Sequence, residues 1–218
     1  MLPSSTTGTG QLFVVSAPSG AGKSTIIRSV LADRPKLKFS VSCTTRPMRH
    51  EEVPGKDYHF ISREEFLRGI QSERFLEWAE VHGQFYGTDR HPIEKWIKAG
   101  QGVLLDIDVQ GARLVRCAYP AAQTIFILPP SMKVLEERLR NRGTETEEQV
   151  AIRVAAAGRE ILESPWYDYI IINDDLPEAI EDLKAILQAG RSSRTVQAAR
   201  LRSFLMSFTY PDALNLPQ

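Results

Sequence analysis

Between an apolar run ending at Ser16 and a helix-patterned stretch from Ile26, Ala17 to Ser24 read APSGAGKS, and no other segment restricts the fold as much. A glycine-rich turn that leaves a strand and enters a helix points successive N–H groups, and the positive end of the helix dipole, at an anion. Lys23 adds a point charge for the β and γ phosphates of a nucleotide, and the Ser24 hydroxyl is a ligand for Mg²⁺. Ala17, Pro18, Ser19, Gly20, Ala21, Gly22, Lys23, Ser24 and Thr25 therefore form the expected nucleotide-phosphate site. The strict pattern has glycine at position 17, and alanine fits there provided its φ stays negative.

Around this loop the chain alternates continuous apolar runs with helical periodicities, which predicts an α/β fold, a parallel sheet covered by helices on both faces. The buried strands are Leu12 to Ser16, Phe39 to Ser42, Val103 to Ile107, Thr124 to Leu128 and Tyr169 to Asn173. Helices are expected from Lys23, His91, Val109, Ser131, Glu147 and Pro177. Ser131 and Thr146 serve as N-caps, and Thr146 with Gln149, like Ser62 with Glu65, makes a capping box. Residues 1–10 are small and uncharged and form a disordered leader. Between Thr44 and Gly87 short strands and one helix replace the pattern, the mark of an inserted lobe, and after Gly190 the composition turns basic. With 27 basic and 27 acidic residues, there is no global attraction to a nucleic acid polymer or an acidic membrane. No apolar run approaches a membrane span. Cys43 and Cys117 stand alone, which argues against disulfides and zinc and for a reducing, cytoplasmic setting.

The lobe decides among P-loop proteins. Val41 to Ile61 read VSCTTRPMRHEEVPGKDYHFI, followed by FLEWAE at Phe75, FYGT at Phe85, LLDIDVQG at Leu104, RNRGTETEE at Arg140 and INDDL at Ile172. Jointly these closely resemble the guanylate kinase family from about Gln11 to Gln188. The resemblance implies a core over 11–43, 89–140 and 158–190, a GMP-binding lobe over 44–88, a mobile lid over 141–157, and transfer of the ATP γ-phosphoryl group to GMP, and to dGMP, with Mg²⁺. Arg46 and Arg49, with the hydroxyls of Tyr58 and Tyr86, suit a phosphate monoester, and in the resemblance these four hold the GMP phosphate. For the base it carries over to Ser42, Glu77, Thr88 and Asp108. A carboxylate takes guanine's N1–H and N2–H, whereas against adenine's N1 it sets lone pair on lone pair. Asp106 and Asp108 alternate on one strand, so one should face the site, the alternative for either being a cap of the next helix. Asp106 falls where an acid orients Mg²⁺ through water or braces an arginine on the substrate side. In the lid and just before it the family places Arg142, Arg153 and Arg138 around the transferring phosphoryl group, and it places Asn173 against adenine.

No general base is needed, because a phosphomonoester with a second pKa of about 6 is largely dianionic at neutral pH. His50, His59, His82 and His91 read as surface or packing residues, and Lys23, Arg46, Arg142 and Arg153 as the catalytic cations. A kinase of another phosphorylated acceptor would have no use for Glu77, Thr88 and Asp108, and a non-catalytic interaction module would not need the intact ATP loop. The basic, partly amphipathic tail, 191–218, places Leu201, Phe204, Leu205 and Phe208 at i, i+3, i+4 and i+7 of a helix. That stripe either folds back on the core or packs against a second copy in a homo-oligomer.

Overall fold

The computed structural model describes residues 10–50, 52–81, 83–141 and 146–206. In chain order the first elements are β1 (Leu12–Ser16), α1 (Lys23–Asp33), β2 (Lys38–Ser40), β3 (Cys43–Thr44), β4 (His59–Phe60), α2 (Arg63–Gln71), β5 (Phe75–Val81), β6 (Gln84–Asp89) and α3 (Arg90–Lys98). They are followed by β7 (Val103–Asp106), α4 (Val109–Ala118), β8 (Gln123–Leu128), α5 (Met132–Arg140), α6 (Glu147–Ile161), β9 (Tyr169–Ile172), α7 (Leu176–Arg191) and α8 (Arg194–Met206).

Five strands form one sheet in the order β2-β7-β1-β8-β9, every pair parallel. Alternate residues of these strands feed two cores. Val14, Leu105 and Phe126 pack on one face with Ile93 of α3 and Val115 of α4. Val15, Leu104, Ile125 and Ile171 pack on the other with Ile26 and Val30 of α1 and Leu183 and Leu187 of α7. The strands lie where the apolar runs place them, except that the run Phe39 to Ser42 pairs only as Lys38–Ser40. Beyond Ser40 the chain leaves this sheet, and the Ser42 carbonyl accepts from the His59 N–H at 2.9 Å, which starts a second one.

That second sheet runs β4-β3-β6-β5, with β3 parallel to β4 and antiparallel to β6. Its core is Cys43, Phe66, Phe75 and Phe85. Phe66 stacks on Phe75 at 4.2 Å and on Phe85 at 5.2 Å between ring centroids. Ser62 caps α2 by accepting from Glu65 N at 3.0 Å. The expected reciprocal half of that box is replaced: the Glu65 carboxylate turns to Arg74 at 3.2 Å, a cation that offers it more than a backbone N–H. Thr146 and Gln149 form the full capping box of α6, and Ser131 caps α5. α5 and α6 share a small core of Leu135, Leu139, Val150 and Ala157.

Helix α8 carries the expected tail periodicity, and of the two covers expected for its stripe, the core and a second copy, the core is not the one seen. Leu201, Phe204 and Leu205 are 46%, 59% and 44% exposed, so these three do not fold back into the core. Phe208, like the leader up to residue 9, lies outside the described residues.

Phe66 is fully buried between two rings, so Phe66→Ala should cost about 3 to 5 kcal/mol locally. Hydrogen exchange should show β3, β5 and β6 losing protection while β1 and β8 keep theirs. Unchanged protection in the smaller sheet would contradict this picture of its core.

Candidate active site

The parallel register sets Val15 of β1 opposite Asp106 of β7, so the phosphate loop and Asp106 leave the sheet side by side. Lys23 Nζ forms an ion pair with Asp106 Oδ1. Burial pulls the lysine pKa down, but the charge and hydrogen bond of Asp106 outweigh it and hold the pKa above the ordinary lysine value. The partner that Asp106 finds is thus the loop lysine and not an arginine. Gly20 and Gly22 take φ of 91° and 92°, the left-handed values that the turn demands. Among the described residues Glu73 is the only non-glycine with positive φ, so Ala17 sits without strain. α1 starts from Gly22 with no side-chain cap, which leaves its first-turn N–H groups to an anion. Pro18 and Ala21 are buried beneath the loop, while Ser19, Ser24 and Thr25 are exposed upon it.

Three residues hold the loop from other elements. Asn173, just past β9, is buried, and its Nδ2 donates to Ala21 O at 2.7 Å. A Cβ on Gly22 would overlap that amide. Arg138 of α5 donates to the Asn173 carbonyl at 3.1 Å. Asn173, expected against adenine, therefore spends its NH₂ on the phosphate loop, and its Oδ1 has no hydrogen-bond partner among the described residues. Arg153 of α6 donates to Ser19 Oγ at 3.3 Å, which brings the helix of the expected lid onto the loop. Arg142 lies outside the described residues.

The second sheet presents a cationic group and an acidic group. Arg46 donates through Nη1 and Nη2 to the two oxygens of Glu52, at 3.0 and 2.7 Å, and Glu52 also accepts from Arg49 N at 2.8 Å. This hydrogen bonding holds Glu52 below the usual carboxylate range and raises Arg46. The guanidinium lies 5.4 Å from the Tyr58 ring centroid, and Tyr58 meets Tyr86 edge-on at 6.0 Å. Burial raises the Tyr58 hydroxyl pKa; the charge of Asp106 adds to it and Lys23 opposes it, so this hydroxyl lies within the field of both. Arg49 itself is exposed. Sequence reasoning missed Glu52. Its signal was an acid three and six residues after Arg49 and Arg46, which alone reads as a solvated charge on a loop.

In the acidic group, Glu77 and Thr88 are direct cross-strand partners, both buried, with Thr88 Oγ1 donating to Glu77 Oε1. Glu77 is thus no solubility charge on the β5 edge. Asp108 caps α4 by accepting from Gly111 N at 2.8 Å. Burial first, then the charge of Asp108, pushes the Glu77 carboxyl up to about 7 against the opposing Thr88 hydrogen bonds. Ser42 is buried where the chain passes from β2 to β3. A second residue missed from sequence, Glu160 of α6, is half-buried, and its pKa is raised by burial, with Lys23 opposing and Asp108 adding. His50, His59 and His91 are exposed, and His82 lies outside the described residues. Among the described residues no three His, Cys, Asp or Glu side chains form a metal cluster, and no helix is long and apolar enough to cross a membrane.

The family model described as guanylate kinase matches residues 9–190. The guanylate kinase of Symbiobacterium thermophilum is 53% identical over 188 residues, 86% of this chain and 89% of that protein. That of Nitrosospira multiformis is 44% identical over 209 residues, 96% of this chain and 100% of that protein. The crystal structure of guanylate kinase from Anaplasma phagocytophilum superposes with a TM-score of 0.75 at 37% identity, covering 91% of this chain and 94% of that one.

A carboxyl raised to about 7 in the fold, against an unfolded value near 4.5, binds more protons folded than unfolded, so its contribution to stability is lost as pH rises between those values. Glu77→Gln should therefore melt higher than wild type at pH 8, and the gap should close as pH falls to 5. An equal or lower melting temperature at pH 8 would show that Glu77 carries no such penalty.

Proposed function

This chain belongs to the guanylate kinase family, enzymes that transfer the γ-phosphoryl group of ATP to GMP, and from that premise we propose how its side chains divide the reaction. Residues 17–25 wrap the ATP phosphates, with Lys23 as the charge on the transferring group. Arg138 and Asn173 brace that loop and border the adenine side. Arg46, Arg49, Tyr58 and Tyr86 hold the GMP phosphate, and Glu77, Thr88, Ser42 and Asp108 read guanine. The observation that carries this reading is the buried Glu77–Thr88 pair: the carboxylate suits the two adjacent N–H donors of guanine, which no other common base presents, and the Thr88 hydroxyl, whose proton lies on Glu77 in the free protein, turns it to O6 on binding. As the family resemblance implies, dGMP is read as a substrate too.

Within that arrangement the steps are few. An oxygen of the GMP phosphate, already dianionic, attacks the γ phosphorus in line as the bond from that phosphorus to the β–γ bridging oxygen breaks and ADP leaves, while Arg46 and Lys23 hold acceptor and donor at neighbouring positions. Arg153 on α6, and Arg142 in the role that the resemblance gives it, neutralise the equatorial oxygens, and closure of the lid excludes water. Mg²⁺ fits the hard oxygen donors here, the exposed Ser24 hydroxyl and the Asp106 carboxylate beside Lys23, and when bound with the donor phosphates supplies charge neutralisation. Unpaired Cys43 and Cys117 support a cytoplasmic place in purine nucleotide metabolism and GMP recycling. Neither a nucleic acid polymer nor a membrane enters this reading. The exposed Leu201, Phe204 and Leu205 support self-association through α8.

A coupled assay should turn over GMP and dGMP with kcat/KM at least about 10²-fold above AMP and UMP. Comparable turnover of AMP would remove the guanine assignment. Removal of residues 191–218 should leave that turnover mostly intact while lowering the mass per particle seen by light scattering. An unchanged oligomer after truncation, or a full-length monomer at tens of micromolar, would remove the tail interface.

A further inference from the structure

Gly111 occupies the first turn of α4, buried, with its N–H on the Asp108 cap. Its backbone does not need glycine, because it is absent from the residues of positive φ. In a helix alanine is the stronger choice by propensity, so the reason for glycine must be a contact. A Cβ there would lie 2.7 Å from Glu77 Oε2, 3.1 Å from Glu77 Cδ and 3.3 Å from Asp108 Oδ1. The first distance is closer than a carbon and a carboxylate oxygen approach.

We infer that Gly111 is a specificity-determining position, whose missing side chain lets the Glu77 carboxylate rest on the first turn of α4 in the one pose that meets the guanine edge. This rests on the assignment of Glu77 to guanine. The carboxylate is held from two sides. Thr88 fixes Oε1 across the sheet, and Oε2 lies against Gly111 on the first turn of α4. Asp108 cannot yield easily, because its Oδ1 is committed to the helix cap. A methyl at position 111 therefore pushes the carboxylate off α4, and the Thr88 hydrogen bond and the distance to guanine N1–H and N2–H change with it. Gly111 touches no reacting atom and is a positioning residue acting through Glu77.

Gly111→Ala in the full chain should raise KM for GMP at least about tenfold, with kcat and KM for ATP within about threefold of wild type. Glu77→Asp draws the carboxylate back by one methylene and makes room for the methyl. On that background Gly111→Ala should raise KM for GMP by less than about twofold further, a coupling that general damage to α4 would not produce. The inference is overturned if Gly111→Ala leaves KM for GMP unchanged, or raises it by the same factor with Glu77 and with Glu77→Asp. If Glu77→Gln itself left GMP kinetics untouched, the guanine assignment would fall first and Gly111 with it. A cost at Glu77→Gln without one at Gly111→Ala would sink this inference alone.

Discussion

Parallel pairing of β1 with β7 on one side and β8 on the other is the constraint from which the site follows. It sends the carboxyl ends of neighbouring strands out at one edge of the sheet, the place where open α/β sheets bind ligands. There Lys23 meets Asp106, and Asn173 reaches back under the loop to Ala21. The second sheet hangs from the end of β2, one strand further along, which brings Tyr58 within the field of Lys23 and Asp106. No single element contains the active site. The register holds it together.

The two halves of the proposed acceptor site treat charge in opposite ways. Arg46 is neutralised before substrate arrives, with Glu52 and Pro47 O fixing part of its planar fork and leaving the rest for a phosphate in a set orientation. Glu77 is the reverse, a carboxyl with a hydroxyl partner but no cation among the described residues, buried where ionisation is costly. A structural role would be served as well by glutamine. The burial makes sense if guanine's two N–H donors complete the hydrogen bonding and favour the ionised form, so that the energy stored at Glu77 in the free protein becomes discrimination on binding.

Much of this was legible in the chain. The phosphate loop, the core strands and the caps at Ser131 and Thr146 depend on local patterns, and the structure places them where those patterns do, β2 alone ending short of its apolar run. The smaller sheet was legible only as a change of pattern, since β3 and β4 are two residues each and are defined by pairings across 16 residues, not by alternation. Glu52 and Glu160 were missed because an acid on a loop or helix surface carries no signal until the fold sets a cation beside it. Asn173 sat in a recognised motif, but only the closeness of β9 to Gly22 reveals that its amide supports the loop. The α8 stripe shows the reverse case, in which periodicity gave the helix but not what covers it.

In the proposed reading Glu77 is close to half-protonated at neutral pH when free and is held ionised by guanine. Carbon NMR of the Glu77 carboxyl, titrated with and without saturating GMP, tests it most directly. The account predicts a midpoint near 7 in the free protein and one at least about two units lower with GMP bound. A free midpoint near the ordinary glutamate value, or one that GMP does not move, would contradict it.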